Sequence, residues 1–331
     1  MSGRRARVVS AASLFAPALL AACPQLLNDP FYLDTPVLGA SGGSEGEPDA
    51  SAPATNAGGG AGGGGGAGAG ASVPADAGGV ADAGALEPPD PIQVALRAAL
   101  AHRYRFDPDA PLRDSVGGAD ATSVGATFRD GAAVLAGTTP GQYIDLPNGL
   151  LAGLRDASFE IWVTWDVTNP SATTAEWQRI FDFGRNPSTV EGQQCAVDVD
   201  ATALFLTPSN QSSKLELQCE SCTGTTLLGP SSMPTGVPVQ LVAVVDDDAN
   251  LLWLYQNGAA VTSGSFAGSL SQITTCTGRA APCDWNNWLG RSQHIEDPPF
   301  AGKILDFRVY SAALQADWIR ASYAAGPDAD W

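Results

Sequence analysis

Histidine is nearly missing from this chain of 331 residues, with only His102 and His294 present. A Ser-His-Asp arrangement would have to use one of those two. No H-E-x-x-H zinc helix occurs, and G-x-S-x-G falls only in the Gly-rich tract, where no strand and helix frame it as a nucleophile elbow. Positive charge is scarce as well: 17 Lys and Arg stand against 35 Asp and Glu. Nothing resembles a basic patch, which argues against nucleic acid as a partner. The acidic balance favours solubility and suits divalent cations or neutral ligands. No apolar run reaches the roughly 20 residues that a membrane span needs. What remains is a 44 % apolar composition, enough for one large domain or two small ones.

The first residues read as a leader. Arg4, Arg5 and Arg7 form a positive n-region, and "VVSAASLFAPALL", broken by Pro17, is a short h-region. It closes on "LAAC", Leu20 to Cys23, which resembles the bacterial lipobox. That resemblance implies a signal peptide over 1–22, cleavage before Cys23 and acylation of its thiol. Pro24 follows Cys23, where an inner-membrane retention signal would have Asp. The expected location is therefore extracytoplasmic, anchored by lipid to the outer rather than the inner membrane. Cleavage removes three of the 17 basic residues, leaving 14 against 35 acidic ones and a net charge near −21. Anionic headgroups would repel such a body.

From Gly39 to about Pro91 the chain is Gly, Ala, Ser, Pro and Asp, including "NAGGGAGGGGGAGAGAS". Such a stretch cannot bury a core, so 23–91 reads as a disordered tether. About 50 residues of this kind span on the order of 40 Å. A G-x-G-x-x-G match inside the tract has no strand before it and no helix after it, so it carries no nucleotide-binding meaning.

The pattern changes at Ile92. "IQVALRAALAHRY" suggests a short helix leading into a strand, and short strand-like runs with turn signals follow. Among them are "AAVLAG", "QYIDL", "SFEIWVTWDV", "RIFDFG", "ALFLTP", "KLELQC", "PVQLVAVVDD", "LLWLYQNG" and "KILDFRVY". Strands this frequent, without helical patterns between them, predict an all-β sandwich or barrel. In "SFEIWVTWDV" Phe159, Ile161, Val163 and Trp165 alternate with a half-polar set, so one face is core. Asn257-Gly258 suits a type I′ turn. "SAALQADWIRASYAAG" predicts a C-terminal helix turning Leu314, Trp318 and Ile319 to the sandwich. No second linker interrupts 92–331, which we take as one domain.

"FAGKILDFRVYSAAL" resembles the closing strand of laminin G-like domains of the concanavalin A-like lectin/glucanase superfamily. "YRFDPDAPLRDSVGG", "YIDLPNGLLAGLRDASFEIWVTW", "RIFDFG", "LLWLYQNG" and "WLGRS" resemble further pieces in the expected order, over about 103–323. The resemblance implies an antiparallel jelly-roll sandwich. It does not settle function, because lectins, glycosidases, adhesion modules and spacers share the fold.

Glucanases of the superfamily carry a Glu-x-Asp-x-x-Glu acid cluster on the concave sheet. The counterpart here, Glu160 to Asp166, has Trp162 and Trp165 at the other acid positions. The expectation is a non-enzymatic module that binds a glycan or a surface protein, with a glycoside-active enzyme or a structural spacer as alternatives. The resemblance also implies one structural Ca²⁺ at the rim, where the first and last strands meet. Asp107 and Asp306 match those positions, and Asp114 and Asp182 are further candidates. For a glycan, aromatic platforms with planar polar partners point to Trp285, Asn286, Asn287, His294 and Asp297 in "CDWNNWLGRSQHIEDPP", and to Trp177. Packing is the competing use for each Trp, and Trp288 falls where the family packs its core. The segment 289–310 reads as strand, polar loop and strand, with His294, Glu296 and Asp297 in solvent at the loop tip.

Cysteines beyond Cys23 number five, and in an exported protein they read as disulfides. Cys276 and Cys283 close a short loop. Cys195 is expected to bridge to Cys219 or Cys222, leaving one over, whereas a Cys219–Cys222 pair would close a very tight ring. The other use of these thiols, a zinc site of Cys219, Cys222, Cys276 and Cys283, fits the ligand chemistry but not a secreted protein.

Overall fold

A computed structural model describes residues 90–138, 141–168, 175–188, 190–196, 201–218, 224–278 and 280–330. The leader, Cys23, the Gly/Ala tract, Cys219 and Cys222 lie outside the described residues. No helix among the described residues is long and apolar enough to cross a membrane.

Helix α1 (Pro91–Ala99) opens the domain. Asp90 caps it by accepting from the Ile92 N–H at 2.9 Å, and Pro91 takes the first position, where no N–H is needed. The chain continues without a break into β1 (Leu100–Tyr104). Four short strands come next: β2 (Thr122–Val124), β3 (Thr127–Arg129), β4 (Ala132–Ala136) and β5 (Tyr143–Leu146). Then come β6 (Ala157–Trp165), β7 (Phe181–Arg185), β8 (Thr202–Asn210), β9 (Ser212–Gln218) and β10 (Thr225–Leu228). The last part holds β11 (Pro238–Asp246), β12 (Leu251–Gln256), β13 (Ala259–Ser265), α2 (Ser271–Thr274), β14 (Asn286–Leu289), β15 (Ala301–Tyr310) and α3 (Ala316–Ala325).

These strands form two antiparallel sheets, as the predicted sandwich requires. One runs β13-β12-β11-β6-β15-β4-β3, with β1 as its eighth strand beside the second half of β15. The other has seven strands in the order β10-β9-β8-β7-β14-β5-β2. Phe159, Ile161, Val163 and Trp165 do face the core, where Phe159 meets Phe181 and Phe183 of the opposite sheet at ring distances of 6.1 and 5.5 Å. Each such side chain contributes about 1.5–3 kcal/mol by leaving water.

The other face of β6 is a surprise against its half-polar sequence: all nine residues are buried. A second, smaller core lies outside this sheet, where Leu96 of α1 and Ile319 of α3 meet Val242, Val244 and Tyr310. Trp162 stacks on Tyr323 at 5.8 Å. Leu314 and Ile319 are buried as expected, and Trp318 packs at the edge of the same cluster. Asn257 and Gly258 both have positive φ, 51° and 76°, the signature of the type I′ hairpin. Cys276 and Cys283 form a disulfide. Neither belongs to a zinc site.

Candidate functional site

The register of the seven-stranded sheet lines up one row of side chains across its outer face. Asp145 pairs with Trp288, Trp288 with Asp182, Asp182 with Phe205, and Phe205 with Glu216. Their neighbours Ile144, Leu289, Phe181, Leu204 and Leu215 point into the core, so period-two alternation turns the row outward. Carboxylates and aromatic rings thus alternate over five strands.

Two loops cover the middle of that row. Segments around Cys195 and His294 run parallel, with Cys195 N–H donating to Gln293 O at 2.9 Å and Ile295 N–H to Cys195 O at 2.9 Å. Side-chain amides lock them down: Asn286 Nδ2 donates to Gln293 Oε1 at 3.0 Å, and the Gly192 N–H donates to Asn286 Oδ1 at 2.9 Å. Asp182 lies beneath, accepting from Gln293 N–H at 3.0 Å and Arg179 Nε at 3.3 Å. Burial pushes its carboxyl up to about 6, against the pull of Arg179 and of the Gln293 hydrogen bond. Arg179 lies over Phe205, 4.0 Å from the ring centroid, and pairs with Asp297 at 2.9 Å.

One end of the row stays partly open. There Arg291 is wedged between two rings, its guanidinium carbon 4.3 Å from the centroids of both Tyr143 and Trp288. The rings meet edge to face at 5.8 Å. Gln194 accepts from Arg291 Nη2 at 3.3 Å, while Nη1 has no hydrogen-bond partner. Asp145, half-buried, is pushed up to about 6 by burial and by the charge of exposed Glu191, partly opposed by Trp288 and Arg291. Burial lowers the pKa of Arg291 and raises that of Tyr143. An aromatic ring, a guanidinium, an amide and two carboxylates therefore meet at a half-exposed place.

The residues expected to bind ligand are mostly elsewhere engaged. Asn286 and Asn287 have no exposed surface and hold loops; Trp285 is buried. His294 does not stand in solvent: its N–H donates to Ser292 Oγ at 3.0 Å and its ring lies 3.5 Å from Cys195 Sγ. Asp297 is likewise turned inward, to Arg179 and to Ser292 Oγ at 2.5 Å. Glu296 alone of those three is exposed. Trp177 does sit half-buried at the far end of the face, with φ of 63° and the Lys214 ammonium 4.4 Å from its ring. Tyr143, Asp145 and Arg291 escaped the sequence reading. Only the alternation of "QYIDL" signalled that Tyr143 and Asp145 share a face.

The rim carboxylates do not fit the structural Ca²⁺ expected of them. Asp306 is buried, and its oxygens accept from Arg103 at 2.9 and 3.3 Å and from Arg308 at 2.6 and 2.8 Å. A cation there would have to displace two guanidinium groups. Asp107 is exposed beside Arg105, 3.6 Å away. Asp114 accepts from His102 and from the N–H groups of Arg103, Val116, Gly117 and Ala119 at 2.7–3.0 Å. Burial alone would raise its pKa, but these bonds outweigh it and hold the carboxyl well below the usual range. Among the described residues no three His, Cys, Asp or Glu side chains gather as a metal cluster. Glu160 faces out of the eight-stranded sheet under α3, receiving Tyr310, Gln240, Trp162 and Ser322.

Three solved structures are similar to parts of the chain. Domain 4 of AbnA, a GH43 extracellular arabinanase from Geobacillus stearothermophilus solved with arabinotriose, is 24% identical, with 67% of this chain and 97% of that one covered at a TM-score of 0.49. The CBM40 of a Ruminococcus gnavus IT-sialidase, bound to α2,3-sialyllactose, is 18% identical, covering 61% and 95% at 0.41. The binding domain of Paraclostridial Mosquitocidal Protein 1 is 10% identical, covering 69% and 52% at 0.50. At 10% identity and a TM-score of 0.50, the last of these shows a likeness of fold alone. No curated protein sequence matches. A family profile does match, over residues 137–320, more than half of the chain: the protein belongs to the laminin G-like domains of the concanavalin A-like lectin/glucanases superfamily.

Proposed function

We propose that this chain is a lipid-anchored, extracytoplasmic binding protein whose sandwich holds a glycan, without cleaving it, on the outer face of the seven-stranded sheet. The carrying observation is Arg291 set between Tyr143 and Trp288 beside Asp145. A sugar offers an apolar ring face and a rim of hydroxyls, which an aromatic surface flanked by planar polar groups complements. With Asp145 and Glu191 against one guanidinium in an acidic chain, the ligand this place favours is neutral.

A glycan array probed with the purified protein and with Arg291→Ala tests the reading. Neutral glycans should be retained by the native chain and lost by the variant. A blank array would turn the assignment toward a protein ligand or a spacer. The enzymatic alternative has one observation behind it, the coupling of Asp145 to Glu191 at a raised pKa. Shortened glycans recovered from the native chain but not from Asp145→Asn would favour it. The anchor is tested separately: Cys23→Ser should move the protein out of the membrane fraction, and its retention there would refute lipidation.

A further inference from the structure

Charge is spread unevenly over this acidic chain. From Gly224 to Val245, and again from Leu251 to Gly278, no residue carries any. Between those stretches only the turn at Asp246–Asp248 is acidic, and Arg155 pairs there with Asp247 and Asp248. The topology puts β10 and β13, one from each uncharged stretch, at the ends of their two sheets. Thr225 Oγ1 donates to Ser265 O at 3.3 Å where the two strands meet. One margin of the sandwich is thus built from two uncharged strands, and Leu228 of β10 leaves 48% of its surface exposed there. The opposite margin ends in β3, where Arg129 and Asp130 are exposed.

On the uncharged margin β13 is the long strand. β2, β3 and β10 at the other sheet ends have three or four residues, whereas β13 has seven. A free edge offers every second N–H and C=O to another strand, and natural proteins blunt it with short length, charge, proline or a bulge. With the sequence AAVTSGS, β13 has neither charge nor proline. Its bulge is at Val261, which the ladder to β12 skips, and Thr262–Ser265 then pair in step with Leu251–Leu254. Among the described residues no strand pairs with the other edge of β13. A second copy of this chain suits that edge. Two chains of net charge −18 repel wherever their acidic surfaces meet, and least where neither carries charge. Antiparallel pairing of a strand with its own copy also uses up the edge on both sides, so the assembly closes at two.

We propose that β13 joins two copies of this chain edge to edge, antiparallel, about a two-fold axis at Ser263 or Gly264. Those centres follow because facing residues of a strand pair share a face, and Thr262 and Gly264 turn to one side while Ser263 and Ser265 turn to the other. The two eight-stranded sheets then run on as one. Their axis crosses the joined sheet, so both copies turn the outer face of the seven-stranded sheet to the same side. The pairing stands apart from the glycan reading; its consequence, two sites presented together to one surface, rests on it.

Equilibrium sedimentation of the full chain in density-matched detergent tests the joint. The mass should rise with concentration to twice that of one chain and no further. The double variant Ser263→Asp, Ser265→Asp changes two exposed residues and sets carboxylates against each other across either centre. It should weaken self-association about tenfold or more. Thr122→Asp, Thr127→Asp adds the same charge at exposed places on the opposite margin and should change nothing. A monomer at every concentration would overturn the joint and leave the edge to a strand of another protein. A dimer that the β13 variant does not weaken would overturn it as well. Should that variant not fold, Ser263→Cys, Ser265→Cys decides: oxidation should link two chains, and a yield no higher than that of Thr122→Cys, Thr127→Cys sinks the proposal.

Discussion

On the outer face of the eight-stranded sheet, Glu160, Asp306, Arg103 and Arg308 are buried together and almost every donor and acceptor is met. Arg103 and Arg308 hold Asp306 between them, and Ser322, Tyr310, Gln240 and Trp162 all donate to Glu160. The leftover guanidinium N–H groups donate to the carbonyls of Gly326, Pro327 and Ala329, closing the network with the C-terminal segment. On the opposite face Asp145, Trp288, Tyr143 and Arg291 use the same kinds of side chain. There Arg291 Nη1 lacks a partner, and Asp145 and Tyr143 are half open to solvent. Residue types therefore do not distinguish a structural network from a candidate site. Whether the protein itself completes the hydrogen bonding does.

The strongest way to break this comparison is to remove a member from each face. Asp306→Ala leaves two guanidinium groups buried without their shared carboxylate, and the expected loss is about 3–5 kcal/mol in urea unfolding. Deleting 326–330 should act on the same network with a smaller loss, about 2 kcal/mol, by exposing or orphaning the N–H groups that bond those carbonyls. Arg291→Ala should cost under about 1.5 kcal/mol, since its stacking on two rings is the main contact removed. If Arg291→Ala proves as damaging as Asp306→Ala, both faces are structural and the glycan assignment loses its basis.

Much of the architecture was legible because alternation reports which face of a strand is apolar. "SFEIWVTWDV" put Phe159 and Ile161 in the core, and Asn257-Gly258 placed its hairpin. Alternation does not report what covers the other face. Glu160 gave no sign of burial because α3, whose Ser322 donates to it, joins the sheet from the far end of the domain. The site failed for a related reason. "CDWNNWLGRSQHIEDPP" has the composition of a sugar-binding loop, yet Asn286, His294 and Asp297 turn to Gln293, Ser292 and Arg179. Tyr143 and Asp145 gain meaning only when β14 is paired beside β5, a contact between residues more than 140 positions apart.

The finest distinction between the faces is electrostatic, and Asp145 reports it. Its folded pKa of about 6 lies above the ordinary 3.8, so between those values the folded chain binds more protons than the unfolded one. Stability from this group is therefore full below about pH 4 and falls as pH rises through 6. Asp182 acts in the same direction over the same window. Asp114, held low, acts oppositely and only in acid. Because Asp145 is half-exposed, screening limits its share to about 1 kcal/mol. Carboxyl NMR should show Asp145 titrating near 6 in the native chain. Glu191→Gln should bring it down by removing the charge that helps raise it, though not to 3.8, because burial is the larger cause. A native midpoint near 4 would mean that Asp145 is as solvated as any surface carboxylate, and the open end of the row would then be no more than surface.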